Sequence, residues 1–226
     1  MGEKKQPPTA GGNAYPFSTM AENAGNVRHV SPSAARNTGP ILAVLESRLP
    51  EAGLVLEVAS GTGEHAVALG KRFPHLTFQP SDPDPDARAS ILGWREDSGL
   101  DNVLPPLDLD MARPAWAGQV TQRPTAMLAV NMVHISPWEA TLGLLQGAAK
   151  LLPAGGGLFI YGPFQREGRH TAPSNAQFHQ SLVDRNPAWG VRDVNEVSHA
   201  AKARGLEMRE AIEMPANNLI LHFQAG

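Results

Sequence analysis

The chain has 226 residues, a formal net charge of −3 at pH 7 and no cysteine. That length suits one sizeable core and is short for two domains. With no basic tract it is a poor partner for an extended phosphate backbone, and without thiols it has no disulfides, thiolate catalysis or Cys-based zinc sites.

Residues 1–14 are polar and rich in Gly, Pro and Lys, the composition of a flexible tail. The remainder, 15–226, reads as a single domain. Residues 15–37 mix Tyr15, Phe17, Met20, Val27 and Val30 with Asn23, Asn26, Arg28, His29, Arg36 and Asn37. Such an arm either packs passively on the domain or closes as a lid over a ligand. The spacing of Ile41, Leu42, Val44, Leu45 and Leu49 predicts a helix over 38–49.

A short apolar strand, Leu54 to Val58, then carries Glu57 near its end, and Ala59-Ser60-Gly61-Thr62-Gly63 turns into a helix that begins near His65. Gly61 and Gly63 allow positive φ and close approach of a ligand to backbone, and the following helix start offers free N–H groups. A carboxylate at that strand tip repels a pyrophosphate and suits a cationic or hydroxyl-bearing ligand. Further along, Leu76 to Pro80 predicts a second strand, Ala87 to Trp94 a helix, Val103 to Leu107 a third strand and Ala126 to Asn131 a fourth. Trp138 to Leu152 has helical periodicity, and Gly157 to Tyr161 is a fifth strand. Alternating strands and helices imply an α/β fold: a Rossmann-like, doubly wound, mostly parallel sheet with helices on both faces. Ligands in such sheets bind beyond the carboxyl ends of the strands. Those ends here are polar: Glu57, Asp82, Asp108, Asn131 with His134, and Tyr161.

The acid and small-residue loop from Glu57 to Gly63 resembles the first motif of the class I S-adenosylmethionine-dependent methyltransferases, with Ala59 at the first glycine position. Across roughly 15–224 the chain is similar to the methyltransferase-like protein 26 type family. The matching segments include Ser31-Pro32, Leu56 to His65, Gln79-Pro80-Ser81-Asp82, Asn131 to Trp138, Tyr161-Gly162-Pro163-Phe164 and Pro215 to Leu219. The resemblance implies a seven-stranded sheet whose last strand runs antiparallel, with Leu206 to Met214 and Leu219 to Phe223 as strands six and seven. It also implies S-adenosyl-L-methionine as cofactor, with S-adenosyl-L-homocysteine as product. Asp82 would hold the ribose hydroxyls, Asp108 the adenine amino group and Leu109 the ring face. Ala59, Ser60, Gly61, Gly63 and His65 would form the loop cradle and Asn131 would border it; if residues 15–37 fold over the cofactor, Arg36 would reach its carboxylate.

For transfer to an O, N or S atom of a small-molecule substrate, His134 is the candidate general base, since neutral imidazole titrates near working pH; a supporting contact ahead of Pro137 is the alternative. Tyr161 could donate to a substrate oxygen or simply pack. His170 and His179 lie in the long segment 162–193, read as a substrate wall. No carboxylate cluster suggests a metal. The Asn131-Met132-Val133-His134 run lacks the paired prolines of nucleic-acid amino-methyltransferases. No stretch reaches transmembrane length or forms an apolar signal core, so a cytoplasmic location without a membrane partner is the default. Two other functions stay open: a cofactor-binding scaffold without turnover, and a nicotinamide-dependent oxidoreductase, which Glu57 and Ala59 disfavour.

Overall fold

In the computed structural model of the protein, residues 19–23 and 26–226 are described, with side chains from Arg28 onward. The expected tail (1–14) and the start of the arm (15–18) lie outside the described residues. The rest of the arm is a hairpin, β1 (Thr19–Asn23) and β2 (Asn26–Val30), followed by a helix. That helix, α1 (Pro32–Leu45), starts earlier than predicted. Ser31 caps it by accepting the Ala34 N–H at 3.4 Å, and Pro32 supplies a preset first turn. Gly39 and Pro40 lie inside the helix.

The main body alternates as expected. β3 (Leu54–Val58), α2 (Glu64–Arg72), β4 (Thr77–Pro80), α3 (Pro85–Ser98), β5 (Ala126–Val130), α4 (Trp138–Leu151) and β6 (Gly157–Pro163) follow in order. A small hairpin, β7 (Gln165–Arg166) and β8 (Arg169–His170), then leads through α5 (Pro173–Arg185) and α6 (Val194–Lys202) to β9 (Leu206–Met214) and β10 (Asn218–Ala225). The segment 162–193, read as a long connection, therefore holds a helix of its own. Only Asn175 and Leu182 of α5 are buried, so it has no apolar stripe to announce it.

The central sheet has six strands, not seven, in the order β4-β3-β5-β6-β10-β9. The first four run parallel, and β10 pairs antiparallel with both β6 and β9. Val103 to Leu107 does run beside β4, but only through isolated bridges at Phe78–Val103 and Ser81–Leu107. Pro105 and Pro106 lie between those bridges and have no N–H to give, so the ladder cannot close.

Alternation along the strands sends side chains to two cores. Leu56, Val58, Met127, Ala129, Leu158 and Ile160 meet Leu144, Leu145 and Ala148 of α4 and Val197 and Ala201 of α6. Val55, Leu128, Phe159 and Tyr161 meet Ile41 and Leu45 of α1 and Ala66 and Leu69 of α2. From β3 the chain winds outward to β4, then returns to β5 on the other side of β3. The carboxyl ends of β3 and β5 therefore flank a switch point, where a parallel sheet leaves a crevice. Among the described residues no helix is long and apolar enough to cross a membrane.

Candidate functional site

The crevice is a cleft at that switch point, open to solvent. Glu57 and Ala59 to Thr62 line it from the end of β3, His65 from the first turn of α2, and Val130, Asn131 and Ile135 from the end of β5. Ser31, Ser33, Ala34 and Asn37 close it from the start of α1.

The loop is held in a conformation that glycine favours. Ala59, Gly61 and Gly63 have φ of 50°, 58° and 93°. The first value explains why glycine is the common residue at the Ala59 position: a left-handed L-residue costs about 1–2 kcal/mol. A side chain on Gly63 would come within 2.8 Å of the Ile91 backbone, so this turn must be bare for α3 to pack on it. Ser90 ties the same region together, donating to the Thr62 carbonyl and accepting the His29 N–H, each at 2.8 Å. Glu64 accepts from the Ser31 N–H at 2.7 Å and the Thr62 hydroxyl at 2.9 Å, which fastens α1 to the loop.

Glu57 is the chemically unusual group. Its backbone carbonyl takes the hydroxyls of Ser60 and Ser81, at 3.2 and 2.9 Å, while both carboxylate oxygens are buried without a hydrogen-bond partner. Burial pushes the carboxyl up to about 7, with the neighbouring Ser60 hydroxyl opposing and the Asp82 charge adding. A buried acceptor left unpaired is costly, so the cleft floor is prepared for a hydrogen-bond donor, best a cationic one. Above pH 7, where the carboxyl is ionised, a group with acceptor-only oxygens does not fit there.

The remaining sequence-derived residues divide sharply. Ala59, Ser60, Gly61, His65 and Asn131 border the cleft with Glu57, and Gly63 shapes the turn beneath it. Asp82 is fully enclosed and braces the loop instead: its Oδ2 accepts the Gly61 N–H and its Oδ1 the Asp84 N–H, both at 3.0 Å. Asp108 is exposed, 3.4 Å from Arg88. Leu109 is a core side chain packed with Met111 and Trp116 rather than a platform for a ring. Arg36 is exposed on α1, close enough to Tyr161 for its charge to be felt there.

The three candidate catalytic residues also fall outside the cleft. His134 is fully buried, edge-on to Phe164 at 4.7 Å. Its Nδ1 accepts the Arg192 N–H at 3.3 Å and its carbonyl takes the Gly190 N–H at 2.9 Å, so it anchors 190–192. Burial holds its imidazole down at about 3, which removes it as a base at neutral pH. Tyr161 lies in the core beneath α1, and burial pushes its phenol up to about 12. His170 sits on the insert, 5.0 Å from the His179 ring, whose Nδ1 accepts the Val191 N–H. The sequence placed His134 just past a strand end correctly; it gave no sign that the side chain turns inward. Ser31, Ser33 and Asn37 belong to the arm 15–37 read as either a passive arm or a lid, and were not singled out one by one, although Ser31-Pro32 is itself a helix-start signature. Among the described residues no group of His, Asp and Glu is placed to hold a metal ion.

Two buried histidines make the fold acid-labile. Burial holds His65 down at about 4 and His134 at about 3. As pH falls below about 6.5 the unfolded chain takes up these protons first, so stability is lost from there toward the folded values, by about 1.4 kcal/mol per pH unit per group. Glu57 titrates in the opposite sense, because its folded value is raised. Denaturant titrations of a Glu57→Gln variant should therefore show about 2 kcal/mol lost per histidine between pH 6.5 and 5; a flat profile would mean that neither ring is buried neutral.

Solved methyltransferases share this architecture. An O-methyltransferase family protein from Burkholderia thailandensis matches with a TM-score of 0.70 at 19% identity, over 86% of this chain and 57% of that one. The mitomycin 7-O-methyltransferase MmcR matches with a TM-score of 0.73 at 14% identity, over 87% and 55%. Human N-acetylserotonin methyltransferase, solved in complex with S-adenosylmethionine, gives 0.69 at 12%, over 86% and 53%. The chain spans a little over half the length of these neighbours. Its fold is the one these methyltransferases share. Residues 28–225 match the family described as "Protein of unknown function (DUF938)", and the chain belongs to that family.

Proposed function

We propose that this protein is an S-adenosylmethionine-dependent methyltransferase that modifies an O, N or S atom of a small molecule. The observation that carries this reading is the partnerless Glu57 carboxylate on the floor of a switch-point cleft, beneath a turn of left-handed residues. That floor accepts a cationic ligand and disfavours the pyrophosphate of a nicotinamide dinucleotide. The small-molecule methyltransferases that share the fold, one of them solved with S-adenosylmethionine, support the same reading, as does the resemblance to the methyltransferase-like protein 26 type.

When bound, the cofactor supplies an electrophilic methyl group on sulfur, and the protein supplies position. The Ala59 to Gly63 turn would receive the ligand against backbone, Glu57 would hold its positive charge, and the start of α1 would cover it from water. Asn131, held left-handed at φ 59° with its N–H on the Tyr161 carbonyl at 2.8 Å, would present its amide toward the acceptor molecule. His134 would set the wall behind Asn131 by anchoring 190–192. A second reading, cofactor binding without turnover, gains weight from the enclosure of His134 and Tyr161, which leaves neither as a base in the cleft.

Calorimetry with S-adenosylmethionine, S-adenosylhomocysteine, NAD and NADP tests the cofactor, followed by incubation of cell extract with methyl-labelled cofactor. Micromolar binding of the first two alone, with label appearing in a small molecule, is expected. Tight binding without any labelled product would favour the scaffold reading, and preference for either dinucleotide would overturn both.

A further inference from the structure

His65 lies in the first turn of α2 and lines the cleft with Glu57. Its Nδ1 is 3.1 Å from the Thr38 hydroxyl, which itself lies 2.7 Å from the Ala34 carbonyl. A hydroxyl has one proton to give. The shorter contact takes it to the carbonyl, so Thr38 is left as an acceptor toward the imidazole. His65 must then carry its proton on Nδ1, and Nε2 is a bare lone pair with no partner among the described residues. The ring stays neutral across ordinary pH, because burial holds it down at about 4 and the positive end of α2 further disfavours an imidazolium. It is too weak a base to take a proton from a substrate, yet it remains a competent acceptor.

The cleft thus presents three unpaired acceptors: two oxygens of Glu57 and one nitrogen of His65. An ammonium has three N–H donors and a full positive charge. We infer that His65, locked by Thr38 with a bare Nε2, recognises the α-ammonium of the cofactor's aminoacyl end jointly with Glu57, making the cleft selective for ligands that carry that ammonium. The division of labour follows from charge. Glu57 supplies the counter-charge, and a neutral imidazole adds a directional hydrogen bond without the repulsion that a protonated ring would bring. Thr38 is a positioning residue, acting only through the tautomer of His65. The inference rests on the cofactor reading above.

Two measurements test it. Long-range ¹⁵N correlation spectra of the ligand-free protein report the tautomer directly; a protonated Nδ1 and bare Nε2 are expected, and the reverse tautomer would overturn the proposal. Calorimetry then compares S-adenosylhomocysteine with its deaminated analogue. The parent protein should prefer the ammonium-bearing ligand by about 100-fold, the scale of hydrogen bonds to a charged group. His65→Asn keeps a donor toward Thr38 but removes the Nε2 acceptor, and should cut that preference about tenfold. His65→Gln, which restores an acceptor near Nε2, should stay within a few-fold of the parent. Thr38→Val should lower the preference and show mixed tautomers in the same spectra. Unchanged preference in folded His65→Asn overturns this proposal alone. Failure of the parent to bind S-adenosylhomocysteine overturns the cofactor reading and this inference with it. If His65→Asn does not fold, the tautomer of the parent and the response of Thr38→Val decide.

Discussion

Glu57→Gln is expected to melt higher than the parent protein at pH 8 while losing S-adenosylhomocysteine affinity by about 100-fold. The two effects share one cause. Neither oxygen of the buried Glu57 carboxyl has a well-formed hydrogen bond, and burial, opposed by the nearby Ser60 hydroxyl and aided by the Asp82 charge, pushes it up to about 7. An acid whose folded value lies above its unfolded one keeps its proton longer in the native state. Stability therefore falls as pH rises from 4.5 to about 7, and the full penalty stands above 7. Its size is about 3 kcal/mol on that scale, which in a chain of this length shifts the melting temperature by roughly 6–12 °C. Neutral Gln removes the penalty, so the difference between the two proteins should vanish near pH 4, where both side chains are uncharged. The bound ammonium of a ligand would offset the same penalty in the parent. Binding should therefore release a proton below pH 7, and affinity should rise between about pH 5.5 and 7. Scanning calorimetry at pH 4 and 8, with titration calorimetry in buffers of differing ionisation enthalpy, reads all three. A Gln variant that is no more stable at pH 8 and binds as well as the parent would show that Glu57 is neither strained nor at the ligand.

Gly162→Ala should be the most disruptive single methyl in the site. A Cβ there would stand 2.6 Å from Cδ2 of His134, overlap its Nε2 and come 3.2 Å from Oδ1 of Asn131. The imidazole has no room to retreat, because Phe164 covers one side and the Arg192 N–H holds Nδ1. Arg192 is fixed in turn by its own bonds to the carbonyls of Val133, Ser136 and Ala188. Overpacking of this kind costs about 1–3 kcal/mol and should lower the melting temperature by several degrees. It should also displace Asn131 in the cleft wall and weaken cofactor binding roughly tenfold, a loss of about 1.4 kcal/mol. The Gly162→Ala/His134→Ala double variant should recover much of the stability, since the added methyl enters the space the ring vacates. A double-mutant cycle with no coupling would mean that the β6 backbone moves aside instead.

The half of the cleft built from β3 and α2 was legible in the sequence because it is local. Glu57, Ala59, Ser60, Gly61 and His65 lie within one strand–turn–helix, where small residues, an acid and a change from strand to helical periodicity are read from neighbouring positions. The parallel order was legible for a similar reason: apolar strands alternate with amphipathic helices. Asp82 and Asp108 illustrate where locality ends. Asp82 follows β4 and Asp108 the bridged segment 103–107, but one is enclosed bracing Gly61 and the other is exposed beside Arg88. Position along the chain says where a strand ends and nothing about which way its last side chain turns.

By itself, then, the sequence determined the α/β alternation, the glycine-bearing turn and the carboxylate at its base, since short-range backbone preferences and hydrophobic periodicity act within a few residues. Tertiary structure decided the rest. Loss of the third strand came from two prolines opposite an otherwise willing partner, β4. His134 became an anchor because Gly162, Phe164 and Arg192, distant in sequence, surround it. The neutral, singly oriented His65 depends on Thr38, which α1 carries across to the cleft. Burial and hydrogen-bond partnership set the charge and tautomer of a titratable group, and both depend on which distant elements pack around it.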